Sequence, residues 1–439
     1  MAKQTFAIHT MGCKLNFYDS EAIAAGLESE GLARQQNWQD ADLVILNSCT
    51  VTNRSDVEAR NLIRRYRREN QNGFLVVSGC YAQAKSADIR AMEEVDLVTT
   101  NVDKYDVGPI LSAFRGAAEV PRESHDIMEK RPAEYRILDQ FASKTRAFIK
   151  IQDGCNLRCS YCIIPFVRGN NRSVPIDAVL QQLRVLEDAG IGEVVLTGIH
   201  IGTWGRDFRP RLHLTDLLKA IEQSDLKMWV RISSLDSPEV PDEMIELIAA
   251  SEKIMPHLHI PLQAGDDLTL RRMRRIYTTA QYRERVLKLR EAMPHMCIGA
   301  DVIVGFPGES EEDFAATERF LNEIPMDYLH VFPYSNRQGT AASSLPDQIN
   351  GRIIRNRGRI LREFSELRKQ EHYRRHIGQE REAIVLPKPL DGYRYSVLTD
   401  NYIEMGIDLP ESSPGQRVRV TLTERVLQRW NKADMAFAV

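Results

Sequence analysis

Short apolar runs alternate with helical patterns of apolar and polar residues along the first 120 positions. Phe6–His9 precedes a helical stretch over Asp19–Glu30, and Leu43–Leu46 precedes one over Ser55–Glu69. Phe74–Val77 precedes a third near Ser86–Glu94, and Leu97–Thr100 closes the series. Strand and helix alternating at this interval predict a parallel sheet with crossover helices. Charged residues and two prolines over Val120–Gln140 predict a linker at 121–144. The alternation resumes at Ala147. Strands are expected near 147–151, 194–197, 228–232, 257–260, 298–303 and 328–332, with helices such as Ile176–Ala189 and Glu311–Asn322 between them. Six such units predict a partial (β/α)6 barrel, whose active site would lie in the loops at the carboxyl ends of the strands. Residues 352–376 read as one long basic helix. After Gly378, the alternating runs Glu382–Leu386, Tyr393–Thr399, Asn401–Met405 and Arg417–Thr423 predict a small antiparallel β-barrel. The expected fold is therefore α/β. A parallel-sheet domain spans 1–120, a linker 121–144, a partial barrel with its following helix 145–376, and a small β-barrel 377–439.

Composition changes this picture little. A hydrophobic content of 43% and a charged content of 27% suit a globular chain. No run approaches the ~18 uninterrupted apolar residues of a membrane span. The opening Met-Ala-Lys-Gln-Thr-Phe-Ala-Ile-His lacks the apolar core of a secretory signal, and seven cysteines cannot all pair, so a reducing, cytoplasmic setting is expected. The net charge of -3 argues against nonspecific nucleic-acid binding by the molecule as a whole. Local basic clusters at Arg60–Arg68, Arg271–Arg275 and along 352–376 are either solvated faces or phosphate contacts.

The cysteines carry the chemistry. Cys155, Cys159 and Cys162 follow the first barrel strand at spacings of three and two residues, close enough for their thiolates to wrap one soft metal centre. Three ligands leave one position open, as a site that activates a ligand requires. A zinc knuckle that borrows His200 is the alternative. Cys13, Cys49 and Cys80 each fall just after one of the three amino-terminal strands, so they converge on the carboxyl edge of that sheet, where open parallel sheets bind ligands. That suggests a second three-cysteine iron–sulfur cluster, against the plainer possibility of three buried packing thiols. Cys297 reads as a packing thiol, and His257 and His259 as structural. At the barrel mouth, Gly198 would leave room for a methionine moiety. Arg231, Ser233 and Ser234 would bond carboxylate or ribose, and Gln263 adds an amide. The Ile303–Gly308 turn, with Val304 and Gly305, would offer flat backbone to adenine.

The pattern Cys155-x3-Cys159-x2-Cys162, with Tyr161 before the last cysteine, resembles the signature of the radical S-adenosylmethionine superfamily. With Cys13, Cys49 and Cys80 added, the whole chain resembles the methylthiotransferase family, whose three parts are an amino-terminal three-cysteine domain, a radical barrel and a carboxyl-terminal, OB-like TRAM domain that holds RNA. The flanks Met11-Gly-Cys-Lys-Leu-Asn16 and Asn47-Ser-Cys-Thr-Val-Thr52 resemble the branch acting on N6-threonylcarbamoyladenosine beside the anticodon. The isopentenyladenosine and ribosomal-protein branches are the other options. The resemblance implies two [4Fe-4S] clusters and S-adenosylmethionine as cofactors, with Tyr161 and the mouth residues on the cofactor side. It implies insertion of a methylthio group at C2 of the modified adenine. The implied partners are the anticodon stem-loop of tRNA, an electron donor such as flavodoxin or ferredoxin, and a sulfur donor, with a monomeric protein and no membrane. The competing class is a noncatalytic iron–sulfur or zinc RNA-binding protein.

Overall fold

The structure is a computed structural model. It describes residues 4–102, 104–116, 126–129, 132–139, 141, 145–390, 392–408 and 413–424. The amino-terminal unit is built on β1 (Thr5–Thr10), β2 (Ala33–Arg34), β3 (Leu43–Ser48), β4 (Phe74–Ser78) and β5 (Leu97–Val98). These strands form a parallel sheet in the order β2-β1-β3-β4-β5. Side chains alternate across it as the period of two requires. Phe6, Leu43, Ile45 and Val76 pack with Tyr18, Ile23 and Leu27 of helix α1 (Lys14–Ser29). Ala7, Val44, Leu46 and Val77 pack with Ile63 and Tyr66 of α2 (Asn53–Glu69) on the other face. Helix α1 begins before the apolar periodicity does, because Cys13 takes the extended N-cap conformation and its carbonyl accepts from the amides of Asn16 and Phe17. The Ser86–Glu94 pattern is only one turn, Ser86–Arg90, and it follows an unanticipated short helix α3 (Gly79–Ala84).

The second unit starts with β6 (Arg146–Lys150) and a two-stranded ribbon of β7 (Gln152–Asp153) and β8 (Arg172–Ser173). It continues with β9 (Glu193–Thr197), β10 (Trp229–Ile232), β11 (His257–His259), β12 (Cys297–Val304) and β13 (Tyr328–Pro333). Strands β6, β9 and β10 form one parallel sheet and β11, β12 and β13 another. A parallel bridge between Val230 and Ile254 joins them, so six parallel strands run side by side in chain order. Ala147, Ile149, Val194, Leu196, Val230, Leu258, Ile298 and Val302 enter the core shared with the surrounding helices. Most alternate positions on the opposite face are polar or aromatic, among them Arg146, Phe148, Lys150, Glu193, Arg231, His257, His259, Asp301, Tyr328 and His330, with Val195, Cys297 and Ile303 as apolar members. The strands therefore have an apolar outer wall and a polar inner wall, which is what a cavity-lining sheet needs.

The segment expected to be a linker packs where it is described. Tyr135 stacks on Tyr18 with ring centroids 5.8 Å apart. The Tyr18 hydroxyl donates to the Arg136 carbonyl at 2.8 Å, and the Gln182 side chain bonds the Leu138 backbone in both directions. The rest of 121–144 lies outside the described residues. The carboxyl-terminal strands β14 (Glu380–Leu386), β15 (Tyr395–Thr399), β16 (Glu404–Ile407) and β17 (Arg417–Thr421) form an antiparallel sheet in the order β16-β15-β14-β17. The part of the expected β-barrel over 425–439 lies outside the described residues. This sheet closes the amino-terminal end of the six-stranded array, where Ile384 and Leu398 pack with Trp229 and Met255. The Tyr402 ring stacks on His257 with centroids 3.8 Å apart.

Trp229→Ala removes the largest side chain of that contact and the ring under the Arg417 guanidinium. The variant is expected to lose about 3–5 kcal/mol of stability. Limited proteolysis of the variant, but not of the parent, should cleave near Ile377 and release the carboxyl-terminal sheet.

Candidate active site between two cysteine triplets

Strands β1, β3 and β4 end in register, with Thr10 opposite Asn47 and Asn47 opposite Ser78. Cys13, Cys49 and Cys80 follow those ends and therefore stand together on one sheet edge. Gly12, at φ +93°, makes the approach possible, since a Cβ there would lie 2.8 Å from both Cβ and Sγ of Cys49. Cys49 and Cys80 are buried, whereas Cys13 is reached by solvent. Burial, then the nearby Cys80 and Cys13, push the Cys49 thiol up to about 11.

The second triplet follows β7. The Cys155 amide donates to the Gly169 carbonyl, and the Cys162 amide to the Cys159 carbonyl, which curls the loop and brings its thiols together. Burial, and then Cys159 and Cys155, push Cys162 up to about 12. Tyr161 sets its ring edge-on to Phe306 at 6.5 Å. His200 Nδ1 lies 3.6 Å from Cys155 Sγ and its Nε2 lies 2.9 Å from Glu239 Oε2, a geometry that fits an iron–sulfur group or a borrowed zinc ligand equally.

Two buried arginines tie the triplets into the protein. Arg168, at the end of the Ile164–Arg168 helix, donates from Nε to Cys80 Sγ at 3.2 Å. Its other nitrogens reach Asp19 and Asn16 of α1 and Asp153 of β7. Asp19 also pairs with Lys104 and accepts from the Tyr105 hydroxyl, and that hydroxyl in turn accepts from Lys150. Burial alone would raise the Asp19 carboxyl, but Lys104 and Arg168 outweigh it and hold it below its ordinary value. Arg275 repeats the arrangement at the other triplet, donating to Cys159 Sγ at 3.2 Å while paired with Asp236. A second clamp lies beside Cys49. Arg337, just past β13, donates to Thr50, Asn53 and Asp56 at 2.7 Å each. The carboxyl edges of the two sheets therefore face each other, one triplet on each.

The other anticipated mouth residues divide. Val304 ends β12 and Gly305 opens the turn that leads to Phe306, where the Gly305 amide donates to Glu309. Ser233, Ser234 and Gln263 stand on loops after β10 and β11. A Cβ at Gly198 would meet Gln152 Oε1 at 2.8 Å, the atom that accepts from the Ile199 and His200 amides, so the glycine lets Gln152 approach. Arg231 is reassigned. Its nitrogens hold Glu193 and the carbonyls of Thr399 and Asp400, so it fastens the carboxyl-terminal sheet. In the basic clusters, Arg67 is spent on Asp96 and the Glu94 carbonyl, Arg275 on Asp236 and Cys159, and Arg357 on Glu309. Arg64, Arg68, Arg271 and Arg274 remain exposed. The buried Cys297 packs at the foot of β12, as read from the sequence.

Burial opposes the ionisation of Cys49 and Cys162, so those thiols are poor nucleophiles as they stand. In each triplet a guanidinium N–H is aimed at one sulfur, Cys80 in the first and Cys159 in the second, a donor set that suits a metal centre taking thiolates.

Residues 149–321 match the family model described as Radical SAM superfamily, and residues 5–100 match Uncharacterized protein family UPF0004. The chain is 37% identical to threonylcarbamoyladenosine tRNA methylthiotransferase MtaB of Bacillus subtilis (strain 168), over 95% of this chain and 93% of the relative. It is 38% identical to the protein of the same name in Rickettsia prowazekii (strain Madrid E), over 91% of each. It is 32% identical to tRNA-2-methylthio-N(6)-dimethylallyladenosine synthase of Dictyoglomus thermophilum, over 95% and 96%. Among solved structures, the radical S-adenosylmethionine methyltransferase TsrM from Kitasatospora setae shares the fold. Its TM-score is 0.56 at 14% identity, over 75% of this chain and 73% of that one.

Asp19→Asn would leave Lys104 buried without its carboxylate and Arg168 with Asp153 alone. It is expected to destabilise the metal-free protein by about 3–5 kcal/mol, read by urea denaturation. Because the folded-state pKa of Asp19 is lowered, this contribution is present at neutral pH and is lost only as pH falls below the ordinary carboxylate range. The gap between parent and variant should therefore hold from about pH 5 to 8 and shrink in stronger acid.

Proposed function

The chain belongs to the tRNA methylthiotransferase family, and from that membership we propose that it inserts a methylthio group at C2 of N6-threonylcarbamoyladenosine, at position 37 beside the anticodon of tRNAs reading ANN codons. The product is 2-methylthio-N6-threonylcarbamoyladenosine. The observation that supports it best is the facing of two cysteine triplets across one seam, each with a buried arginine on one thiol. When bound, one [4Fe-4S] cluster on Cys155, Cys159 and Cys162 would supply, with S-adenosylmethionine, the one-electron chemistry that an unactivated aromatic C–H bond demands, and a second on Cys13, Cys49 and Cys80 would supply the site for sulfur.

The chain's own residues do the positioning. Arg168 and Arg275 orient Cys80 and Cys159 and offset their negative charge. The turn Ile303–Gly308, with Tyr161 edge-on to Phe306, provides the flat wall proposed for adenine, with Ser233, Ser234 and Gln263 beside it. The six strands act as the partial barrel of the reading, with 1–120 carrying the second triplet. In this reading 377–439 is a TRAM domain gripping tRNA together with the exposed arginines. An acidic electron carrier such as flavodoxin or ferredoxin and a sulfur donor complete the set, and the protein works as a monomer. Among the described residues no helix is long and apolar enough to cross a membrane.

The test is mass spectrometry of tRNA nucleosides from cells lacking this gene, with and without the gene restored. The methylthio form of threonylcarbamoyladenosine should vanish and return, while that of isopentenyladenosine persists. Restoration with Cys49→Ala or Cys159→Ala should give none. Loss of the isopentenyl product, or of a methylthio group from a ribosomal protein, would overturn the substrate. Absence of reductant-dependent 5′-deoxyadenosine from S-adenosylmethionine would overturn the reaction class. Anaerobically reconstituted parent protein is expected to hold about eight irons, and Cys49→Ala about four.

A further inference from the structure

The carboxylate of a threonylcarbamoyl group needs a cation, and four of the guanidiniums near the seam are already paired with acids, while Arg158 is turned onto the Cys155 and Leu157 carbonyls and Asn170. Arg168 holds Asp19 and Asp153, Arg275 holds Asp236, and Arg146 and Arg231 share Glu193. Lys14 differs. It is the first residue of α1, directly after Cys13, and its side chain is exposed to solvent. Among the described residues it has no hydrogen-bond or ion-pair partner. One turn further along the same face of α1, Phe17 meets Phe148 of β6 with ring centroids 6.3 Å apart, so this face of the helix looks onto the inner wall of the strand array.

The charges of that wall sharpen the point. Desolvation by the surrounding protein, then Arg146 and Arg231, lower the Lys14 ammonium to about 8 against the pull of Glu193 and Asp301, so it is still mostly charged at neutral pH. Glu193 is taken by the two arginines, and Asp301 is taken by His259 at 2.8 Å and His330 at 3.4 Å. The two acids in reach are thus already matched, and a surplus ammonium remains at a solvent-reached position beside a cysteine of the amino-terminal triplet. Such a surplus attracts an anion.

We propose that Lys14 is the residue that binds the carboxylate of the N6-threonylcarbamoyl group, and so separates this substrate from adenosines whose N6 substituent is neutral. The proposal rests on the substrate assigned above. C2 and the N6 substituent lie on the same edge of adenine with N1 between them. A cation one residue from Cys13 therefore suits a base whose C2 is presented to that triplet. Lysine grips a carboxylate as a point charge and not with a two-pronged fork, so it tolerates rotation of the flexible threonyl arm. A neutral substituent would leave the ammonium without its anion, which is how a polar site rejects an analogue lacking the matching group.

The experiment compares two anticodon stem-loops binding to the anaerobic holoprotein. One carries threonylcarbamoyladenosine and the other its neutral methyl ester. The parent is expected to favour the acid by about 10–100-fold, the range of one charge-assisted hydrogen bond. Lys14→Met should abolish the preference by weakening the acid alone, Lys14→Arg should keep part of it, and Lys14→Glu should invert it, with iron content unchanged in all three. A preference that survives in Lys14→Met overturns the assignment and leaves the substrate standing. Equal weakening of both RNAs, or loss of iron, also overturns it, by placing Lys14 in support of the cysteines. No preference in the parent, together with modification of isopentenyladenosine RNA, overturns the substrate reading itself.

Discussion

One buried guanidinium fixes the geometry of this molecule. Arg168 touches the amino-terminal unit at Asp19, Asn16 and Cys80, and its own unit at Asp153, two residues before Cys155. Through a single planar group the two cysteine triplets acquire a defined relation. A buried charge without its partner costs several kcal/mol, so Arg168 can be satisfied only when α1, the start of α3 and β7 are all in place. Lys104, Tyr105 and Lys150 extend the same requirement to the chain after β5 and to β6. Docking of the two units is thereby a chemical condition as well as a packing one.

Strand periodicity explains how a polar interior can coexist with a sound core. In β10 the positions of Val230 and Ile232 go to the helices, while Trp229 and Arg231 go to the other face. The same division in β11 puts Leu258 outward and both histidines inward. The inner histidines are not free: His257 stacks on Tyr402, and His259 pairs with Asp301. The foot of the array is filled by the carboxyl-terminal sheet, and the head is left to the loops carrying cysteines. Many polar groups deep in the array are thus matched by one another, although His257 Nδ1 is buried there without a hydrogen-bond partner.

This division also marks how far the sequence could be read. The order of elements and the convergence of Cys13, Cys49 and Cys80 followed from local signals, because apolar runs report strands and each cysteine sits a fixed short step beyond one. Arg231 could not be placed the same way. Its residue type suits a cofactor rim, yet it is claimed by a partner far along the chain, the Thr399–Asp400 backbone. Arg168 gave no sign at all, since its bond to Asn16 spans 152 positions and no spacing announces it. The arginine clusters misled in part for the same reason: Arg67, Arg275 and Arg357 look like phosphate ligands in a string of letters and turn out to hold loops and helix ends together.

The polarity of the seam fits the reaction proposed for it. An apolar contact of equal area would be at least as stable, because buried ion pairs rarely outweigh their own desolvation. It would also be indifferent to small slides, since dispersion contacts reform after a shift of an ångström or two. Directional bonds from Arg168 and Arg337 are not indifferent. Arg337 is satisfied by three side-chain oxygens, on Thr50, Asn53 and Asp56, all at 2.7 Å, and Arg168 is held on the opposite flank of the same sheet edge. Two such anchors leave no sliding direction that keeps both intact. Reactions that pass an atom between two centres tolerate little misplacement, and an error of about an ångström is worth orders of magnitude in rate. The seam therefore gives up packing energy for a fixed relation between Cys13, Cys49 and Cys80 on one side and Cys155, Cys159 and Cys162 on the other.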